Sequence, residues 1–187
     1  MNENMKKLAG YIIALVTLAA AAYGLTSVLW LPASVSMLGY ENAQYGITFS
    51  YPDSYSIDGR EVGNGERGHF AITLIAKKDK ARVPTGGEGP PAITIDIYQN
   101  NLDKLSVENW IRNTSASNFK LSLNGKLTPI VAAGVKGFYY QWDGLYRGES
   151  TVIAHEGNIL VFTATYLDAG DQIRTDFGQI LSSVVLN

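Results

Sequence analysis

No cysteine occurs anywhere in the 187 residues. That absence excludes disulfides, thiolate catalysis, iron–sulfur clusters and cysteine-bound zinc. It also removes the residue on which a lipoprotein-style acyl anchor would be built. Compartment stays open, because a cysteine-free chain suits reducing and oxidising surroundings alike. Histidine is almost as scarce, with only His69 and His155. An excess of positive charge is missing too. Fifteen Lys and Arg against seventeen Asp and Glu leave a net charge of −2, so the basic face of a nucleic-acid reader is absent and no nucleic-acid partner is expected. Beyond residue 40 the balance is 13 basic to 16 acidic groups, about −3. What is present is apolar: 46% hydrophobic against 17% charged residues, a globular balance far from that of disordered chains. The length suits one domain with an appendage.

The appendage is N-terminal. Residues 8–31, LAGYIIALVTLAAAAYGLTSVLWL, contain no charged side chain over 24 positions. As a helix this run spans roughly 36 Å, enough to cross a hydrocarbon core of about 30 Å with some tilt. Lys6 and Lys7 precede it and no Lys or Arg follows before Arg60. Such asymmetry predicts a cytoplasmic N-terminus, a single pass and an extracytoplasmic C-terminal domain. Tyr11 and Trp30 sit where amphipathic rings settle at the two membrane interfaces. The rival reading is a signal peptide cleaved near Ala20-Ala21-Ala22, which would release a secreted domain. The apolar run extends past Leu25 to Leu31, longer than a signal core requires. Either way the domain is exported, and residues 8–31 are expected to meet the lipid bilayer.

Residues 32–42 (LPASVSMLGYEN without its leading Leu31) read as a short linker broken by Pro, Ser and Gly. From residue 43 onward the pattern switches to a period of two. In GITFSYP, Ile47, Phe49 and Tyr51 share a face, and Pro52-Asp53 closes the strand. Phe70, Ile72, Leu74 and Ala76 alternate in the next strand; Ile93, Ile95 and Ile97 alternate in the one after. The intervening KKDKARVPTGGEGPP reads as a long mobile loop. SVENWIRNT predicts a short helix capped by Ser106, with Val107, Trp110 and Ile111 buried. A weak strand at 119–123, a turn at Asn124-Gly125 and a strand near 129–133 follow. VKGFYYQW then turns at Asp143-Gly144, a two-residue hairpin signal, into LYRGESTVIA. Glu156-Gly157-Asn158 turns that strand into ILVFTATY. Leu160 and Phe162 oppose Ile159 and Val161 there, so this strand should lie centrally with both faces covered. A last helix, capped by Asp168 or Asp171, carries Ile173, Phe177, Ile180, Leu181 and Val184. Strands followed by helices without regular βαβ alternation predict an α+β fold with a mainly antiparallel sheet.

This order of elements, with Phe49-Ser50-Tyr51-Pro52 near its start and Phe177 through Val184 at its end, resembles the PsbP-like superfamily. That superfamily includes the extrinsic photosystem II protein and a yeast Ran-binding factor. The resemblance covers about residues 43–187. It implies an α-β-α sandwich around a central antiparallel sheet. It implies no particular function, because the fold serves proteins with different partners.

Catalytic signatures are scarce. There is no G-x-S-x-G elbow, and Ser150 lies mid-hairpin. His155-Glu156 is not H-E-x-x-H, since Ile159 stands four residues on. Asp96 and Asp143 read as solvated, His69 and His155 as strand-edge or surface residues. TGGEGPP lacks the ending of a phosphate-binding loop, and Asn113-Thr114-Ser115 matters only where chains are glycosylated. No metal site, no cofactor and no enzymatic activity are expected. The aromatic run GFYYQWDGLY is the feature that points to recognition, with Tyr139, Trp142 and Tyr146 as binding residues; its plainer role is to stabilise a hairpin. The sequence thus predicts a non-catalytic, membrane-anchored binding module with a protein partner at the membrane surface. The alternative is a carrier of a small lipid, glycan or hydrophobic ligand held between sheet and helix.

Overall fold

Alternating apolar side chains make the strands, and two apolar stripes at helical spacing make the helices that pack on them. The computed structural model describes residues 35–63, 67–83 and 89–187. The apolar run 8–31, with Lys6, Lys7, Tyr11 and Trp30, lies outside the described residues. In order, the elements are β1 (Met37–Asn42), β2 (Ile47–Pro52), β3 (Tyr55–Glu61), β4 (His69–Ala76), β5 (Ile93–Gln99), α1 (Val107–Asn113), β6 (Thr128–Ala132), β7 (Val135–Asp143), β8 (Arg147–His155), β9 (Asn158–Tyr166), α2 (Gln172–Ser183) and β10 (Val185–Leu186).

Seven strands form one sheet in the order β3-β4-β5-β9-β8-β7-β6, and β1-β2-β10 form a second. Every pairing is antiparallel. β9 occupies the middle of the large sheet, as its two apolar faces require. Leu160, Phe162 and Ala164 join Ile72, Ile93, Ile95, β2 and the α2 residues Phe177 and Ile180 in one core. Ile159 and Val161 join Trp110 and Ile111 of α1, Tyr140, Trp142 and Val152 in another. The small sheet and α2 therefore cover one face of the large sheet, and α1 covers part of the other. No helix among the described residues is long and apolar enough to cross a membrane.

Four local readings change. Residues 37–42 are not linker: they pair in register with β2, Met37 opposite Pro52 and Asn42 opposite Ile47. Pairing satisfies the backbone of a segment whose side chains are mostly exposed, which composition could not reveal. Residues 119–121 form a 3-10 turn, because Asn118 adopts a left-handed conformation (φ 56°) and breaks any extension into a strand. The β7–β8 loop spans three residues, with Asp143 paired to Arg147. Lys77–Arg82, read as loop, is a 3-10 turn. Ser106 does cap α1, accepting the Asn109 N–H at 3.3 Å. Asp171 sits at the N-terminus of α2, but its carboxylate reaches backwards, accepting the backbone N–H groups of Leu167 and Asp168 at 2.9 Å each.

Candidate functional site

A cleft of about 1040 Å³ opens at the end of the large sheet where β3 begins and β4 ends. Its walls are the 3-10 turn at Lys77–Arg82, the Gly89–Pro91 segment that leads to β5, and the first two turns of α2. Local sequence chemistry builds each wall. The prolines at 90 and 91 cannot continue the ladder, and Asp171 stops the loop before α2 by binding two of its own amides. Tyr55 lies at the cleft's inner edge. Its hydroxyl donates to Asp176 Oδ2 at 2.8 Å, and Gln172 Nε2 donates to Asp176 Oδ1 at 3.0 Å. Burial, then the bond to Asp176, pushes the Tyr55 hydroxyl far above its usual range, so it stays a neutral donor.

The other acids of the cleft are also engaged. The Asp171 carboxyl is held below the usual carboxylate range, first by its two backbone N–H donors and further by Lys78. Asp79 pairs with Arg82 at 3.3 Å. Lys77, Lys78 and Arg82 stand exposed around the mouth, and Leu167 and Ile173 add apolar surface. The cleft thus offers cations and apolar contact at its lip, while its carboxylates are committed to internal hydrogen bonds. Among the described residues no group of three His, Asp or Glu side chains is placed to hold a metal.

The three aromatic residues marked by the sequence do not share a surface. Trp142 is buried at 7% exposure on the α1 face, where its Nε1 donates to Ser150 Oγ at 3.0 Å. It lies over Gly148, its cross-strand partner; a Cβ there would come within 2.2 Å of the indole. Tyr139 points to the opposite face, half-buried, and donates to Glu149 Oε2 at 2.9 Å. Burial, then this bond, raises its hydroxyl to about 12. Only Tyr146 reaches the cleft, donating to the Gly89 carbonyl at 3.0 Å. Strand alternation separates 139 from 142, and the packed helices turn both inward.

Two clusters escaped the sequence reading. Arg174 of α2 forms a bidentate pair with Glu149, Nε to Oε1 and Nη2 to Oε2, each at 2.9 Å. Its guanidinium lies 4.7 Å from the Tyr166 ring centroid, and the bond to Glu149 holds it even more firmly protonated than usual. This network clamps α2 to β8. On the other face His69 Nε2 meets Asp96 Oδ1 at 2.7 Å, with the imidazole stacked on Tyr98 at 4.0 Å. Both residues occupy outward positions of their strands. The alternation placed them on one face, but only the β4–β5 register, Ala71 opposite Asp96, brings them together. His155 is turned to the Asn187 carbonyl at 3.3 Å.

No family model and no curated protein matches the chain. Among solved structures, the solution structure of cyanobacterial PsbP (CyanoP) from Synechocystis is similar to it with a TM-score of 0.54 and 14% identity, over 84% of this chain and 96% of that one. A Bacteroides thetaiotaomicron crystal structure matches with a TM-score of 0.50 and 8% identity, over 80% of this chain and 48% of that one; the chain spans about half its length. At such identities the likeness concerns fold alone. It rests on the antiparallel sheets and the few helices that cover them, and by it the chain has a PsbP-like fold.

Proposed function

We propose that the chain is a non-catalytic binding module, anchored by one transmembrane helix at residues 8–31 and presenting its α-β-α domain outside the cytoplasm to another envelope protein or membrane complex. The observation that carries this reading is the state of the cleft: its acids are occupied by Tyr55, Gln172, Arg82 and backbone amides, while cations and apolar side chains line its open mouth. Such a lining suits recognition, where exposed charge steers encounter and apolar contact holds the complex. The aromatic binding role narrows with it to Tyr146, since Tyr139 and Trp142 are committed to the fold.

A second reading, a carrier of a small lipid, glycan or hydrophobic ligand, draws on the cleft's place between sheet and α2 and on a volume in the range of ligand sites. Its mixed lining and wide mouth favour the protein-binding reading. The test is crosslinking and co-purification of the full-length chain from its native membrane, beside a Lys78→Glu/Leu167→Asp variant. Both residues are exposed, so the variant keeps its core. A stoichiometric protein retained by the parent and lost from the variant is the expected result. A protein held equally by both would move the site off the cleft. No protein in either, with a small molecule found in native mass spectra of the parent, would favour the carrier.

A further inference from the structure

The 3-10 turn Lys77–Arg82 concentrates positive charge on an acidic domain. Four of its six residues are Lys or Arg, all exposed, and Asp79 is its one acid. Arg82 pairs with Asp79, whereas Lys77, Lys78 and Lys80 form no salt bridge among the described residues. Beyond residue 40 the chain holds 13 basic groups against 16 acidic ones, so this turn runs against the charge of its surroundings. Asp171 and Asp176 line the same cleft; the first is bound to backbone amides and the second to Tyr55 and Gln172.

The place of the turn in the fold gives that charge a meaning. The Asp53 N–H donates to the Ser36 carbonyl at 2.9 Å, and the Lys77 N–H donates to the Ser54 carbonyl at 2.8 Å. Two adjacent residues, Asp53 and Ser54, therefore join the entry point of the domain to the start of the basic turn. Ser36 stands only five residues beyond Leu31, the end of the uncharged run; that stretch of chain reaches at most about 18 Å. On the anchor reading, a cationic surface on so short a tether is suited to meet headgroups, because each Lys or Arg near an anionic bilayer adds attraction that fades within about a Debye length.

We propose that Lys77, Lys78 and Lys80 form a second membrane contact, docking this end of the domain on an anionic bilayer surface. The inference rests on the anchor reading above. Docking sets the orientation of the domain: the lip of the cleft, which shares Lys77 and Lys78, lies at the headgroups, and the far end of the sheet, at the β8–β9 turn, points away. A partner engaging the cleft would then approach along the membrane surface.

The chain's lack of cysteine makes the test clean. Full-length protein carrying Ala81→Cys in the turn, or Ala154→Cys at the far end of β8, is labelled with a fluorophore. It is reconstituted into phosphatidylcholine vesicles with or without phosphatidylglycerol, and quenching by headgroup-labelled lipid is measured. Quenching at position 81 should rise with phosphatidylglycerol and stay low at 154. It should fall to the neutral-vesicle level in high salt and in a Lys77→Gln/Lys78→Gln/Lys80→Gln variant. Quenching at 81 that ignores lipid charge or survives loss of the lysines overturns the contact. Alkaline carbonate extraction of the same vesicles judges the anchor separately. Retained protein without charge-dependent quenching defeats the lysine contact alone; extracted protein that still binds anionic vesicles through the lysines defeats the anchor alone.

Discussion

A single ion pair shows how far residue identity reaches in this domain. Glu149 is 6% exposed, a depth at which an unpaired carboxylate is costly. Three donors satisfy it: Nε and Nη2 of Arg174 and the Tyr139 hydroxyl. Arg174→Ala should destabilise the domain by about 1–3 kcal/mol, because it leaves the buried Glu149 carboxylate with one protein donor. Urea unfolding of purified protein measures the loss. The Glu149→Leu/Arg174→Met double variant should recover most of it, since two matched apolar side chains leave no buried charge behind. A double variant as unstable as the single would mean that the pair's value lies in geometry that methionine cannot reproduce.

Among the elements, the turns and the α2 terminus hold the more instructive strain and charge. Glu156 and Gly157 join β8 to β9 with φ of 47° and 76°, the left-handed pair that a two-residue hairpin needs. Glutamate accepts that conformation at some cost, so Glu156→Asn should stabilise the hairpin by about 0.5–1 kcal/mol, read as a higher urea midpoint. At the α2 terminus the Asp171 carboxyl titrates below its ordinary value of 3.8 because it accepts two backbone N–H bonds. A group whose folded value is depressed contributes stability above its unfolded value and loses it as pH falls through the folded one. Asp171→Asn should therefore flatten the acid side of the stability profile below about pH 4, while leaving the neutral region less affected by pH. Urea midpoints taken across the acid range test this. An unchanged acid limb would show that Asp171 makes the same bonds in the unfolded chain.

At the scale of the whole molecule, the proposed anchor at residues 8–31 makes one topological prediction. With a tag at each end, protease applied outside intact cells should remove the C-terminal tag and spare the N-terminal one, in keeping with Lys6 and Lys7 on the inner side. Loss of the N-terminal tag alone would reverse the orientation, and loss of both would rule out the single pass. A shortened exported product would identify residues 1–22 as a cleaved signal. On the proposed anchoring, function at this scale depends on what the domain presents beside the bilayer. The cleft, the basic turn and the entry at Ser36 all meet at one end of the large sheet.

The sequence alone determined the local order of this protein. Ile47, Phe49 and Tyr51 announced a half-buried strand, the two apolar faces of residues 159–162 announced a central one, and Ser106 announced a helix start. Those signals are local: a side chain's face follows from its position within its own strand or helix. The charge-free run at 8–31 and the lysines before it belong to the same class, as reasons to propose export. Tertiary structure decided everything that depends on register and coverage. It paired residues 37–42 with β2, split Tyr139 from Trp142 across the sheet, and joined His69 to Asp96 and Arg174 to Glu149. It also gathered Ser36, Lys77 and the cleft at one end. Each of these pairs is distant in sequence, and which strand lies beside which is settled by the packing of the whole chain.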